Sequence, residues 1–160
     1  MTSGREQPWS DEAVPTGRII VFSGNPISHA VRDIAAAVGR EVLLREQDDD
    51  GQCVSWLAAQ QPGPRDAVLL CDHDAPDAPA LLRAALESQA GYVAMMASRK
   101  RSAGLLEDLR SEGYAEAMGR LHVPAGLNIG GKAPGEIALS VVAEIVAWGH
   151  DRPGGPMREG

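Results

Sequence analysis

The stretch RIIVFSGNPISHAVRDIAAAVG, residues 18–39, decides the fold class. It begins with an apolar run that predicts a strand over 18–22, and continues with apolar residues at helical spacing up to Gly39. A short buried strand that runs directly into an amphipathic helix is the first half of a βαβ unit.

The same alternation continues along the chain. A loop is predicted over 113–133, because five glycines interrupt the pattern there. The further predicted strands are 41–44, 67–71 and 92–96, and the further helices are 52–60, one capped by Asp77, one opened by Ser98, and 134–149. This order predicts an α/β fold: a three-layer sandwich of Rossmann-like type, with a mostly parallel sheet and helices on both faces.

Composition fits one such domain. Hydrophobic residues make up 44% of the chain and aromatic residues only 4%, so the core must consist of aliphatic side chains. The termini lack periodicity, and we expect disordered tails over 1–16 and 150–160 around a domain of residues 17–149.

Charge and cysteine content narrow the function class. A net charge of −7 argues against nucleic acid as a partner. Two cysteines are too few for a disulfide framework, and no apolar stretch is long enough to span a bilayer. We therefore expect a soluble, cytoplasmic protein with no membrane or nucleic-acid partner.

In a doubly wound sheet, ligands bind beyond the carboxyl ends of the strands, and this rule selects the segments 23–26, 71–74, 97–101 and 126–132. The first such turn reads Ser23-Gly24-Asn25-Pro26, where Asn25 replaces the second glycine of the dinucleotide motif and Pro26 has no N–H. Binding of NAD(P) in its usual form is therefore not expected. Asn25 and Pro26 suit the start of a helix, and the alternative is a modified ligand loop with Ser23 and Gly24 facing the crevice.

Two further segments carry charge at this edge. Residues 98–101 (Ser98, Arg99, Lys100 and Arg101) begin a helix directly after a strand, where we expect a hydroxyl, free amides and cations to converge on an anion. The alternative is a solvated basic turn. Glu46 stands where a ribose-binding acid is expected, and the alternative is an exposed Arg-Glu pair in a polar turn, which is common.

Several segments resemble one family in the correct order. Residues 92–101 (YVAMMASRKR), 121–130 (LHVPAGLNIG) and 133–140 (APGEIALS) resemble YVGLIGSRRK, LHxPxGLDIGA and TPEEIAxS of the XdhC/CoxI Rossmann domain. Residues 21–27 (VFSGNPI) and 71–77 (CDHDAPD) stand where that family has FGAGHVA and THDHALD.

The resemblance implies a chaperone-like accessory protein and not an established enzyme. XdhC-type proteins bind molybdenum cofactor, protect it and deliver it to a molybdenum hydroxylase apo-enzyme. Fuller members also carry an N-terminal domain with a cysteine motif, which we expect to be missing from this chain. The partner is then the apo-hydroxylase or another XdhC-like chain, with a homodimer as a further expectation.

The resemblance also selects cofactor-binding candidates. Cys71 and His73 would touch the pterin or its metal, unless Cys71 is simply a buried strand-end residue. Gly126, Asn128 and Gly130 lie in the GLDIGA-like loop, where Asn128 replaces an acid and cannot act as a base. No catalytic residue and no zinc site is expected, because zinc needs four well-spaced ligands.

The leading hypothesis is therefore an accessory protein that binds molybdenum cofactor, or a related phosphorylated pterin or nucleotide, for maturation of a xanthine dehydrogenase-type hydroxylase. An NAD(P)-dependent oxidoreductase is one alternative, supported by fold alone. The other is a degenerate Rossmann module that has lost its ligand and works by pairing with another chain.

Overall fold

The computed structural model describes residues 9–10, 15–46 and 51–159. A five-stranded parallel sheet with the order β2-β1-β3-β4-β5 forms its centre. The strands are β1 (Ile19–Phe22), β2 (Val42–Arg45), β3 (Ala67–Leu70), β4 (Tyr92–Met95) and β5 (Leu121–His122). The predicted fold class is confirmed. The order reverses between β1 and β3, which is the switch point of a doubly wound sheet.

Helices cover both faces because each central strand buries both sets of its alternating side chains. Ile20 and Phe22 of β1 face one helical layer, while Ile19 and Val21 face the other. The helices are α1 (Pro26–Ala37) and α5 (Pro134–Gly149) on one face, and α2 (Cys53–Gln60), α3 (Ala78–Glu87) and α4 (Arg99–Ser111) on the other. Among the described residues, no helix is long and apolar enough to cross a membrane.

Two local predictions need correction. The segment 113–133 is not all loop, since it contains a short 3₁₀ helix, Ala117–Arg120, and then β5. Strand β5 has only two half-buried residues and pairs with β4 alone, so it leaves no apolar run in the sequence. Asp77 does precede α3, but its side chain makes no capping hydrogen bond.

The structure describes more of the predicted C-terminal tail than of the predicted N-terminal tail. Most of 1–16 lies outside the described residues. In the predicted tail 150–160, the Arg152 amide donates to the carbonyl of Ala147 at 2.8 Å, and Met157–Glu159 form a 3₁₀ turn.

Candidate functional site

A cavity of about 590 Å³ opens at the carboxyl ends of β3, β4 and β5. Three segments form its polar side: the turn after β3, the start of α4, and the loop between β5 and α5. Ile27 in the first turn of α1, Met96 and Leu127 contribute apolar surface. The polar and charged residues that line the cavity are His73, Ser98, Arg101, Asn128, Lys132 and Ser140.

The His73 ring is fixed by the main chain of the neighbouring strand end. Its Nδ1 lies 2.9 Å from the carbonyl oxygen of Met96, which can only accept a hydrogen bond. The neutral ring must therefore carry its proton on Nδ1, and the lone pair of Nε2 is left to face other groups. Arg101 Nη1 lies 3.3 Å from this Nε2, so the guanidinium is the donor in that contact.

Arg101 brings a positive charge to the cavity. The Ser98 hydroxyl caps α4 by accepting from the Arg101 amide at 3.1 Å. The Arg101 guanidinium lies 3.7 Å from Asp74, and both side chains are largely exposed, so this ion pair is weak. An anion that enters the cavity can therefore take over Arg101 at little cost, near the N-terminus of α4.

Hydrogen bonds to helix α5 fix the loop between β5 and α5. Gly126 has a φ of 104°, and a Cβ at this position would lie 2.5 Å from the Ser140 hydroxyl oxygen. Its amide donates to Glu144 Oε1 at 3.2 Å, and the Leu127 amide donates to the carbonyl of Ser140 at 3.1 Å. These bonds place the following residues, including Asn128 and Gly130, along the cavity wall.

Glu144 also binds two aromatic groups beneath that loop. The Tyr92 hydroxyl donates to Glu144 Oε1 at 2.6 Å, and His122 Nδ1 lies 3.4 Å from the same oxygen. The His122 ring stacks on Tyr92, with ring centroids 4.2 Å apart. Burial lowers the pKa of His122, although the Glu144 charge opposes the effect, and burial raises the pKa of Tyr92. This cluster anchors the loop and does not line the cavity.

The turn after β1 is closed by its own hydrogen bonds. Asn25 Oδ1 accepts from the Ser28 amide at 2.9 Å, while the Asn25 amide donates to the Ser28 hydroxyl at 3.0 Å. Asn25 Nδ2 donates to the carbonyl of Cys71 at 3.1 Å, and the Ser23 amide to that of Arg45 at 3.0 Å. Asn25 is thus the N-cap of α1 and Pro26 its first residue.

A carboxylate occupies the space beside Gly24. A Cβ on this glycine would lie 2.5 Å from Glu46 Oε1, so the Glu46 carboxylate lies directly beside the turn. A negative group there repels another anion. The turn after β1 is consequently unfavourable for a dinucleotide phosphate.

Cys71 lies at the end of β3 and does not line the cavity. Burial, with a contribution from the Asp72 charge, raises the pKa of its thiol to about 12. The thiol is therefore protonated at neutral pH, and protonated sulfur is a poor metal ligand. The described part of the chain holds no cluster of three or more His, Cys, Asp or Glu side chains placed to bind a metal ion.

Comparison with known proteins decides the family. The model of the XdhC Rossmann domain matches residues 19–145. The chain belongs to the XdhC family.

Two relatives each align with part of this chain. A probable xanthine dehydrogenase subunit of Bacillus subtilis is 25% identical over 148 residues, 82% of this chain and 43% of the relative. The uncharacterized protein YqeB of Escherichia coli is 42% identical over 73 residues, 45% of this chain and 14% of YqeB. The chain thus spans less than half the length of either relative.

A crystal structure of a xanthine dehydrogenase from Bacillus halodurans has the same fold. It superposes with a TM-score of 0.70 at 24% sequence identity, over 86% of this chain and 44% of that one.

Only some of the predicted site residues line the cavity of this XdhC domain. Arg101, which belongs to the basic segment predicted to bind an anion, also lines the cavity. Lys132 lines it too, although it was predicted only as part of the segment 126–132. Arg99 and Lys100 are exposed and do not line the cavity. Of the candidates, His73, Ser98, Asn128 and Gly130 line it, and Ser23, Gly24, Asn25, Cys71, Arg99, Lys100 and Gly126 do not.

Proposed function

We propose that this XdhC domain binds molybdenum cofactor in the carboxyl-edge cavity and passes it to a xanthine dehydrogenase-type molybdenum hydroxylase. Family membership supports the class of function. The observation that carries the proposal is the cavity itself, which joins His73, Ser98 and Arg101 to the loop before α5.

The donor set fits a ligand with a phosphate at one end. Arg101 and Lys132 supply positive charge, and the Ser98 hydroxyl supplies a neutral donor. A guanidinium can bind two phosphate oxygens at once, which also orients the ligand. Among the described residues no carboxylate lines this cavity, in contrast to the turn after β1, although the exposed Asp74 lies within 4 Å of both Arg101 and His73.

The rest of the cavity fits a flat heterocycle. Ile27, Met96 and Leu127 provide apolar contact area, and a volume of about 590 Å³ is in the range of small-molecule sites. When a bound phosphate draws Arg101 away from His73 Nε2, that nitrogen accepts a hydrogen bond from a ring N–H instead, in the tautomer that the Met96 carbonyl fixes. The cofactor supplies the molybdenum and its sulfur ligands, and the chain binds, orients and partly shields it.

A carrier must also release its cargo. Several lining residues are exposed at the surface, and Ile129 is 52% exposed, so one side of a bound ligand stays accessible to the acceptor protein. A relative named as a probable xanthine dehydrogenase subunit points to a hydroxylase as that acceptor. We place the transfer in the cytoplasm, where cysteines such as Cys53 and Cys71 remain free thiols.

Retention of the cofactor on a sizing column tests the proposal. The purified chain is mixed with molybdenum cofactor, and the pterin that elutes with the protein is measured by fluorescence after oxidation. We expect retention by the wild type and by Arg110→Ala, whose arginine lies far along α4 and pairs with Glu107. Arg101→Ala should lose most of it. Absence of retention by the wild type would overturn the proposal, and retention of NADPH instead would favour an oxidoreductase.

A further inference from the structure

A second, smaller cleft lies at the opposite edge of the sheet, where the strands begin. Its volume is about 180 Å³. Arg40, Arg65, Trp148 and His150 line it, together with residues 15–17, Pro64 and Gly149. No carboxylate is among the described residues that line it, although the chain carries a net charge of −7. Neither the family resemblance nor the carboxyl-edge cavity gives this cleft a role.

Hydrogen bonds hold the main chain that carries Arg65. The neighbouring Asp66 is buried, and its Oδ1 accepts from the Arg18 amide at 2.7 Å. Its Oδ2 accepts from the Gly63 amide at 2.8 Å and pairs with the Arg18 guanidinium at 2.9 Å. Asp66 is therefore committed to Arg18 and does not neutralise Arg65.

Close approach of three segments fixes the wall of the cleft. A Cβ on Gly17 would lie 1.8 Å from the carbonyl oxygen of Arg65, and one on Gly91 would lie 2.1 Å from that of Pro64. Only glycine permits such contacts. The turn that presents Arg65 is thus packed tightly against the chain on both sides.

The basic side chains of the cleft have no acidic partner among the described residues. In the part of the chain that the structure describes, the side chains of Arg40, Arg65 and His150 make no hydrogen bond or ion pair. The Arg40 main chain is nevertheless fixed, since its amide donates to the carbonyl of Ala35 at 2.8 Å. Cations on a fixed frame, without counter-charges, favour an anionic ligand.

The ends of α1 and α5 offer a simpler account of part of this charge. Both helices end here, and a helix C-terminus attracts roughly half a unit of positive charge. The Arg40 guanidinium does lie beside Gly149, the last residue of α5. The two helix ends together balance the charge of about one arginine. The charge of the second, Arg65, then has no counter-charge among the described residues.

We propose that this cleft binds a phosphate group through Arg40 and Arg65. Guanidinium groups suit phosphate because their planar N–H groups match two of its oxygens. The cleft is too small for the ligand of the carboxyl-edge cavity, and the proposal stands independently of that site. The phosphate is either free or the terminal group of a larger ligand such as a nucleoside monophosphate.

Nuclear magnetic resonance titration at constant ionic strength tests this proposal. The probes are inorganic phosphate and AMP, and the signals are the Trp148 indole N–H and the Nε–H groups of Arg40 and Arg65. We expect saturable shifts with phosphate. If only AMP gives saturation, the ligand is a phosphate ester and the site stands.

Variants separate a site from general charge. Arg40→Gln and Arg65→Gln should each weaken binding by about tenfold, because each removes one charge-assisted contact. Arg110→Gln removes an exposed arginine elsewhere and should change it by less than about twofold. Thermal unfolding of each variant checks that the fold is intact. Shifts that grow linearly with both probes and are unaffected by the two cleft substitutions would overturn the proposal.

Discussion

The turns after β1 and β4 have the same architecture and opposite properties. Each leads from a parallel strand into a helix at the same edge of the sheet, and each has a capping side chain, Asn25 or Ser98. In the first, the capping box occupies the Asn25 and Ser28 amides, Pro26 has no N–H, and the Glu46 carboxylate lies beside Gly24. In the second, Ser98 and Arg101 line a cavity, and no described carboxylate is among the residues that line it.

The difference shows that a strand-to-helix turn is not a phosphate site by position alone. Its free donors and the charge beside it decide whether it binds an anion or only begins a helix. In this XdhC domain, the expected glycine-rich turn serves the fold, and the turn two strands away along the sheet is the one suited to a ligand.

The largest expected effect is loss of ligand affinity on Arg101→Ala. Removing a charge-assisted contact to phosphate should lower cofactor affinity by about tenfold to a hundredfold. Equilibrium titration monitored by pterin fluorescence measures it. Arg99→Ala combined with Lys100→Ala should have a much smaller effect, since those side chains do not line the cavity. An equal loss in both variants would contradict the geometry.

Asn25→Ala tests the structural role of the first turn. The substitution removes the cap on Ser28 and the bond to the Cys71 carbonyl. We expect it to lower the free energy of unfolding by about 2 kcal/mol. Cofactor affinity should stay unchanged. Urea unfolding followed by circular dichroism provides the measurement, with Asn25→Ser, which keeps a capping oxygen, as the milder control. A large loss of cofactor affinity in Asn25→Ala would refute the purely structural role of Asn25.

Ser98→Ala should affect both properties. The Ser98 hydroxyl caps α4 and lines the cavity, so its loss should cost about 1 kcal/mol of stability and reduce affinity by a few-fold. Ser111→Ala, at the exposed end of the same helix, serves as the comparison. If Ser98→Ala lowers the stability but leaves cofactor affinity unchanged, Ser98 does not contribute to ligand binding.

Asp74→Asn should have the smallest effect, and in the opposite direction. Asp74 competes weakly with an anion for Arg101, so removing its charge should tighten cofactor binding by about two- to threefold. The same titration detects the gain, which should shrink at high salt. Weaker binding would mean that Asp74 positions Arg101 instead of competing for it.

Much of the fold could be read from the sequence because periodicity reports burial directly. Helix α5 begins at Pro134 and ends at Gly149, as predicted. Strand β5 was missed because two half-buried residues make no pattern. Its place at the edge of the sheet depends on pairing with β4, which no local propensity records.

The sequence predicted which edge of the sheet holds the cavity better than it predicted which side chains line it. The segments 71–74, 97–101 and 126–132 were correctly identified as lying there, since parallel strands bring their carboxyl ends together. Which side chain enters the cavity depends on the rotation of α4 about its axis. That rotation places Arg101, and neither Arg99 nor Lys100, in the cavity. Glu46 was predicted at this edge from its position after the second strand, but its contact with Gly24, which follows the neighbouring strand, was not.

Backbone amide shifts during titration with molybdenum cofactor test the central claim most directly. The account predicts that the largest changes fall on residues 97–101 and 126–132, and that the amides of 23–28 barely move. Largest changes in 23–28, or no saturable change in any of these segments, would contradict it.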